Sequence, residues 1–427
     1  MKRRTFLKNT ITGVVLPSFL NGISLKALAG TPLLHSLGRF MAEDRVLVLV
    51  QLAGGNDGIN TVIPFDQYSA YTAARPNIFL AEDKVLRLNG FDATALNPAM
   101  AEMQQLFNDG KMGIVQAVGY PKPNFSHFRA TDIWMTASDS DKIVSTGWAG
   151  RFLNESFPNF PANYPNTAMP DPLAIQVGSI VSTTFQGPAL TMGLAISNPS
   201  SFYNLIEGKV NVDSNSRWGE QLDYIELMSM KTDQYSGVIK NAALKIKQQS
   251  PKYPAQGKNP LADQLKIVAR LIAGGLKTKV YMVSTGSFDT HAKQTEADTT
   301  TGTHAKLLQR VSEAIGAFMD DLQFLQIDNK VMGMTFSEFG RRIKSNASGG
   351  TDHGAAAPLF YFGHAVKSGI IGTNPVIPVN ANVNDNVPMQ NDFRAVYASI
   401  LQNWFSLAPQ DVQTILSGDF TTLPMFA

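Results

Sequence analysis

The chain has 427 residues, 44% of them hydrophobic and 16% charged, with a formal net charge of +2. It contains no cysteine, which excludes disulfides and thiolate–metal sites, so stability has to come from an apolar core. The near-neutral balance speaks against a non-specific nucleic-acid binder, and past the N-terminus no segment approaches the length of a transmembrane helix.

Residues 1–29 read as an export signal. Lys2-Arg3-Arg4-Thr5-Phe6-Leu7-Lys8 is a twin-arginine sequence, Ile11 to Leu25 is moderately apolar, and Ala27-Leu28-Ala29 is a small-residue end. This predicts recognition by the twin-arginine export machinery and a periplasmic or secreted protein, with any cofactor inserted before export. Removing the segment takes away five of the 36 basic residues and none of the 34 acidic ones, leaving a balance of −3. Residues 30–427 then have length enough for one large core or two smaller ones, and are expected to form a single domain.

Arg45 to Leu52, RVLVLVQL, is the strongest strand signal, its five-residue run Val46 to Val50 wholly apolar as in a strand buried on both faces. It runs into Ala53-Gly54-Gly55-Asn56-Asp57-Gly58, an ordinary turn or a site loop presenting Asn56 and Asp57. Asn97-Pro98 opens a predicted helix to about Asn108, and Lys111 to Val118 is a second strand. That strand leads through a Pro-rich approach to a helix starting near Ser126, followed by His127. Ser126 reads either as a cap or as a nucleophile at a helix end that favours negative charge.

No chemical constellation falls between Ser140 and Pro260. Gly147 to Ser156 looks helical, Leu173 to Val177 and Ala189 to Ile196 look like strands, and Ser214 to Gln249 looks helical and polar. Residues 197–258 suit a helical insertion or cap over the sheet. Asn259-Pro260 begins a helix that ends near Gly274-Gly275. Thr278 to Val283 is a strand opening into Ser287-Phe288-Asp289-Thr290-His291, where alternation in an extended segment turns Asp289 and His291 the same way. His304 stands just before a long amphipathic helix, which returns the chain to Lys330 and completes a parallel β–loop–α–β unit.

Lys330 to Phe336 is a buried strand delivering Ser337, Glu338, Gly340, Arg341 and Arg342 at its end. A Gly/Ser/Asn loop then gives Thr351-Asp352-His353-Gly354 before an apolar run, Pro358 to Phe362. Asp392 to Phe405 and Pro409 to Leu416 are predicted packing helices. Each of the six histidines taken alone is more often structural than functional. Histidines 127, 291 and 353, together with Asp57, Asp289, Glu338 and Asp352, nevertheless all fall at separate strand ends, the distribution expected of an α/β site.

The twin-arginine start, LAGGNDG, SHFRA, SFDTH, SEFGRR and GTDHG together resemble the exported domain-of-unknown-function 1501 family over essentially the whole mature chain. That family resembles the alkaline phosphatase/sulfatase superfamily. The resemblance implies a three-layer α/β/α sandwich with a mixed, mostly parallel sheet, and two metals at the strand ends. It implies Asp57 as the carboxylate after the first strand, Ser126 as nucleophile, Asp289 with His291 or His304 as the first ligand pair, and His353 as the last metal histidine. Glu338-Phe339 stands where the superfamily has Asp-His, so a second metal site of Asp57, Ser126 and Glu338 lacks a ligand. The expected cofactor is a divalent metal (zinc, manganese or iron) held by Asp289, His353 and His291 or His304. Two functions follow: a hydrolase of phosphate or sulfate esters in which Arg341 or Arg342 clamps the oxyanion, or a non-catalytic protein binding a small molecule, glycan or partner.

Overall fold

Val46–Leu52 (β1) is buried along its whole length, and its side chains divide by parity. Val46, Val48, Val50 and Leu52 enter one apolar cluster while Leu47 and Leu49 enter a second, because successive side chains of a strand point to opposite faces. A sheet therefore lies between two cores. The computed structural model describes residues 44–178, 180–196 and 235–426, with a short strand pair of Phe19–Leu20 and Ile23–Ser24. Most of the export-signal reading and of the expected insertion lies outside the described residues; of the helical stretch expected between Ser214 and Gln249, a helix over 235–245 is described.

The main sheet adds Met112–Gly119 (β2), Ala174–Val177 (β3), Gly193–Ile196 (β4), Val280–Thr285 (β5), Val331–Phe336 (β6), Ala357–Gly363 (β7), Gly369–Ile371 (β8) and Asn391–Asp392 (β9). Its order is β8-β2-β7-β6-β1-β5-β3-β4, with β9 also paired to β2. The strands expected to share a sheet do so: β5 and β6 flank β1 in parallel, with Val280 opposite Leu47 and Val331 opposite Val46, and β2 follows beyond β7. Only β7 runs antiparallel to its neighbours. The sheet is mixed and mostly parallel.

Helices Ala101–Asn108 (α1), Pro260–Ala273 (α4) and Thr303–Phe324 (α5) cover one face through residues such as Phe107, Leu265 and Phe318. Helices His127–Thr136 (α2), Trp148–Ser156 (α3), Phe393–Ser399 (α6) and Pro409–Leu416 (α7) cover the other through Trp134, Trp148, Phe393 and Ile415. The architecture is three-layered, α/β/α. The crossover from β5 through α5 to β6 places two parallel strands on either side of β1, so their C-terminal ends meet at one edge. The antiparallel β7 begins at that same edge.

Two helix boundaries differ from the sequence expectation. Asn97 does not cap α1; its side chain accepts from the Ala99 N–H and donates to the Asn60 carbonyl, and that buried tie makes a turn ahead of Ala101. The helix expected to run on to Phe405 ends at Ser399 and continues as a π-turn over Ile400–Trp404, where the Trp404 indole N–H donates to the Val46 carbonyl at 3.2 Å. No helix among the described residues is long and apolar enough to cross a membrane.

Candidate metal centre

The site assembles where four strand ends meet, and glycines allow the approach. Gly54 and Gly55, just past β1, have φ of +122° and +74°. A Cβ on Gly54 would lie 2.5 Å from the Asp289 nitrogen, and one on Gly55 would lie 2.2 Å from the Phe339 ring. Only glycine lets the loops after β5 and β6 close over this turn. The β5 loop carries Asp289 and His291, the β6 loop carries Glu338 and Arg341, the segment after β2 carries His127, and the approach to β7 carries Asp352 and His353.

Asp289 is the point of convergence. Its Oδ1 lies 3.1 Å from His291 Nε2 and 3.2 Å from His353 Nε2, and its Oδ2 lies 3.4 Å from His127 Nε2. The Nε2 atoms of His291 and His353 are 2.9 Å apart. Each imidazole has its other nitrogen occupied: His353 Nδ1 by the Phe125 carbonyl at 2.8 Å, His291 Nδ1 by Asp352 at 3.1 Å and His127 Nδ1 by Glu338 at 2.8 Å. A carbonyl oxygen can only accept, so His353 carries a proton on Nδ1, and its neutral ring presents the Nε2 lone pair; the Asp352 and Glu338 carboxylates stand at Nδ1 of the other two rings and favour the same tautomer there. Three Nε2 atoms therefore face one carboxylate.

This donor set fits a divalent ion. Ligand atoms of His127, Asp289 and His353 lie within 4.8 Å of one another. The four separations quoted above, 2.9 to 3.4 Å, are close to the ligand–ligand spacing of about 3.3 Å that bonds of about 2.0–2.1 Å give in a tetrahedral site. His127 Nε2 is buried and has no hydrogen-bond partner among the described residues, an orphan that a metal would satisfy. Imidazoles whose second nitrogen is fixed by a carboxylate or carbonyl are the usual outer support of metal ligands.

Electrostatics keep the carboxylate charged. Partial burial pushes Asp289 upward, but the hydrogen bond from Arg341 and the Arg341 charge outweigh it and hold the carboxyl well below the usual carboxylate range. Burial lowers His353, helped by Arg341 and His127, against the opposing Phe125 and Asp289 contacts. The Phe339 ring packs 4.7 Å from the His353 ring and 4.9 Å from the His127 ring, an apolar wall behind both.

Asp289, His291 and His353 are thus brought together, and His127 joins them. His127 stood among the clustered histidines of the sequence, but the helix-start argument selected its neighbour Ser126. Ser126 is exposed, and its hydroxyl does not cap α2. Glu338 is adjacent through His127 and also accepts from the Gly54 N–H at 2.9 Å. Asp57 and His304 belong to a separate buried network: Asp57 pairs with Arg75 at 2.6 Å and Gln294 at 2.6 Å, while His304 Nε2 meets Asn56 Oδ1 at 2.9 Å. The second-site grouping of Asp57, Ser126 and Glu338 is therefore divided among different partners. Arg341 is buried and donates to the carbonyls of Gly54, Gly55, Phe288 and Thr351 as well as to Asp289, so it orients the ligand rather than clamping a substrate. Its half-buried neighbour Arg342 instead lines an open cleft of about 380 Å³ together with His291 and His353.

A family model described as "Protein of unknown function (DUF1501)" matches residues 119–416. The chain belongs to this family. No curated protein matches this DUF1501 chain. Among solved structures it is similar to a protein in the alkaline phosphatase superfamily from Vibrio parahaemolyticus, at 9% identity and a TM-score of 0.37, covering 84% of this chain and 66% of that one. It spans slightly less than two-thirds of that protein's length. It is also similar to alkaline phosphatase from the Antarctic bacterium TAB5, at 12% identity and a TM-score of 0.31, covering 77% of this chain and 94% of that one. A third likeness is to the C-terminal periplasmic domain of EcEptC from Escherichia coli, in complex with Zn, at 10% identity and a TM-score of 0.34, covering 75% and 72% of the two chains. At such scores these likenesses carry nothing about the chemistry of the DUF1501 site.

Proposed function

We propose that the chain is an exported, metal-dependent hydrolase of phosphate or sulfate esters. The observation that carries the reading is the convergence of the His127, His291 and His353 Nε2 atoms on Asp289, each imidazole already held through Nδ1. Three imidazoles and one carboxylate suit zinc, manganese or iron. When bound, the ion supplies a Lewis acid for an ester oxygen and a lowered pKa for a coordinated water. Arg341 keeps Asp289 ionised and aimed. Phe125, Asp352 and Glu338 fix which nitrogen of each ring is free. Ser126, exposed one residue before His127 with its hydroxyl free of capping, is the nearest candidate nucleophile in the sequence.

One feature favours a second reading, a non-catalytic binding protein. Were His291 to join the His127, Asp289 and His353 group, four protein donors would fill a tetrahedral ion, as in structural sites, whereas catalytic sites usually keep a position open. Elemental analysis after dialysis, with hydrolysis of 4-nitrophenyl phosphate and 4-nitrophenyl sulfate as the activity probe, separates the two. The expected result is about one ion per chain in the wild type, near none in His353→Ala, and hydrolysis abolished by a chelator and restored by metal. A metal-loaded protein inert to both esters favours the binding reading. A wild type without metal overturns both forms of the metal centre.

Export is proposed from the twin-arginine start, RRTFLK, with the protein destined for the periplasm or the medium. Arg3→Lys combined with Arg4→Lys is expected to leave the protein in the cytoplasm, as followed by cell fractionation. Wild-type levels outside the cytoplasm would refute the assignment.

A further inference from the structure

The cleft over the histidines is lined by groups that the metal reading does not use. Arg342 donates from Nη1 to the Val383 carbonyl at 3.1 Å and to Asn384 Oδ1 at 2.8 Å. Its backbone N–H is tied to the Asp352 carbonyl at 3.0 Å, and its own carbonyl accepts from Arg75 at 2.8 Å. The guanidinium is thereby held in place, yet Nε and Nη2 make no hydrogen bond among the described residues. Two adjacent free N–H directions on a fixed guanidinium form the fork that pairs with a planar pair of oxyanion oxygens. Arg341, one residue earlier, has its fork filled by carbonyls and Asp289.

Apolar and amide groups stand beside that charge. Phe125 is 37% exposed, and its position is fixed because its carbonyl accepts from His353 Nδ1. Phe128, the second residue of α2, is 91% exposed, and Val383 is 62% exposed. Phe125, Val383 and Asn384 line the cleft with Arg342. Asn384 gives its Oδ1 to Arg342, and its Nδ2 makes no hydrogen bond among the described residues. A free phosphate would use the arginine alone; the exposed ring, the valine and the amide call for something carried on the anion.

We propose that this cleft binds an oxyanion borne on a ring. Arg342 pairs with the oxyanion, Phe125 and Val383 pack against the ring, and the Asn384 amide donates to a ring substituent. The inference rests on reading the histidine cluster as the reacting centre, and it names the substrate class for that centre. The ring can come from a sugar or from an aryl group, both of which offer an apolar face.

Calorimetric titration of metal-loaded and chelator-stripped wild type with glucose 6-sulfate, phenyl sulfate and inorganic sulfate tests it. At least one ring ester is expected to bind more tightly than inorganic sulfate. Arg342→Gln should weaken that binding about tenfold or more, as loss of a charge-assisted pair does, and Arg342→Lys should recover only part. Phe125→Ala should weaken the ring ester while leaving inorganic sulfate unchanged. A preference for glucose 6-sulfate that Asn384→Ala removes assigns the sugar, and a preference for phenyl sulfate that it leaves intact assigns the aryl group. Inorganic sulfate binding as tightly as the ring esters overturns the inference, as does no binding of either ester at millimolar concentration or an unchanged affinity in Arg342→Gln with metal content intact. Ring-ester binding that survives in a protein without metal or hydrolysis leaves the inference standing and removes the hydrolase. Hydrolysis that is indifferent to Arg342→Gln does the reverse.

Discussion

Arg75→Met is expected to lower stability by about 3–5 kcal/mol, the usual effect of removing one partner from a fully buried ion pair. The Arg75 and Asp57 side chains are both 0% exposed, and Arg75 Nη1 lies 2.8 and 2.6 Å from the two carboxylate oxygens. The same guanidinium donates to the carbonyls of Ile343 at 2.9 Å and Arg342 at 2.8 Å and to Asn60 Oδ1 at 3.0 Å. Burial acts to raise Asp57, yet the Arg75 and His304 charges and the Arg75 and Gln294 hydrogen bonds hold it below the ordinary carboxylate range. Methionine would leave that carboxylate dry, with Gln294 as its main remaining donor. Replacing both partners should be milder: Arg75→Met with Asp57→Leu removes the charge together with its counter-charge, and the double variant should recover much of the loss. Urea unfolding of the wild type, both single variants and the double variant measures the coupling. A single-variant loss below about 1 kcal/mol, the level of an exposed pair, or strictly additive losses would show that the pair is not what secures the β1 turn.

Arg75 also shows where reading the sequence reached its limit. It lies in Ala73-Ala74-Arg75-Pro76-Asn77, a segment with no motif, and its side-chain partners are 15, 18 and more than 260 residues away. Nothing local announces a side chain whose environment is set by contacts so distant. The strands were legible for the opposite reason: β1 and β6 are buried on both faces throughout and β5 over Val280 to Val283, so their runs are almost wholly apolar. Asp289, His291 and His353 could be singled out because each stands within a few residues of such a run. His127 was harder, since a serine and a histidine side by side at a helix start are equally plausible on paper. The fold decides by exposing Ser126 and turning His127 inward between Glu338 and Asp289. Arg341 and Arg342 posed the same problem: neighbours in extended backbone face opposite ways, and sequence alone does not say which one turns toward the core.

His304 should make the protein acid-sensitive well above the range where carboxylates titrate. It is 1% exposed in the first turn of α5, with Nε2 against Asn56 Oδ1 at 2.9 Å. Burial lowers its pKa to about 4; nearby Asp57 opposes the shift, and Arg75 and Arg341 reinforce it. An unfolded histidine titrates near 6.5. Between these values the unfolded chain binds a proton that the native state refuses, so this contribution to stability is complete above about pH 6.5 and is lost as pH falls toward 4. The loss from this one group is on the order of 3 kcal/mol. Asp57 and Asp289, both lowered, weaken the fold only below the ordinary carboxylate pKa of about 4, a separate and more acidic window. His353 is shifted in the same direction as His304, so the comparison has to be internal. His304→Gln keeps an amide able to donate to Asn56 and removes the titration, leaving His353 untouched. Urea unfolding of wild type and variant at pH 7.5, 6.0 and 4.5 should therefore show the wild type losing about 2–3 kcal/mol more than the variant across the series. Parallel losses in the two proteins would mean that His304 takes up its proton without unfolding the chain, and that burial at the start of α5 does not hold the imidazole neutral.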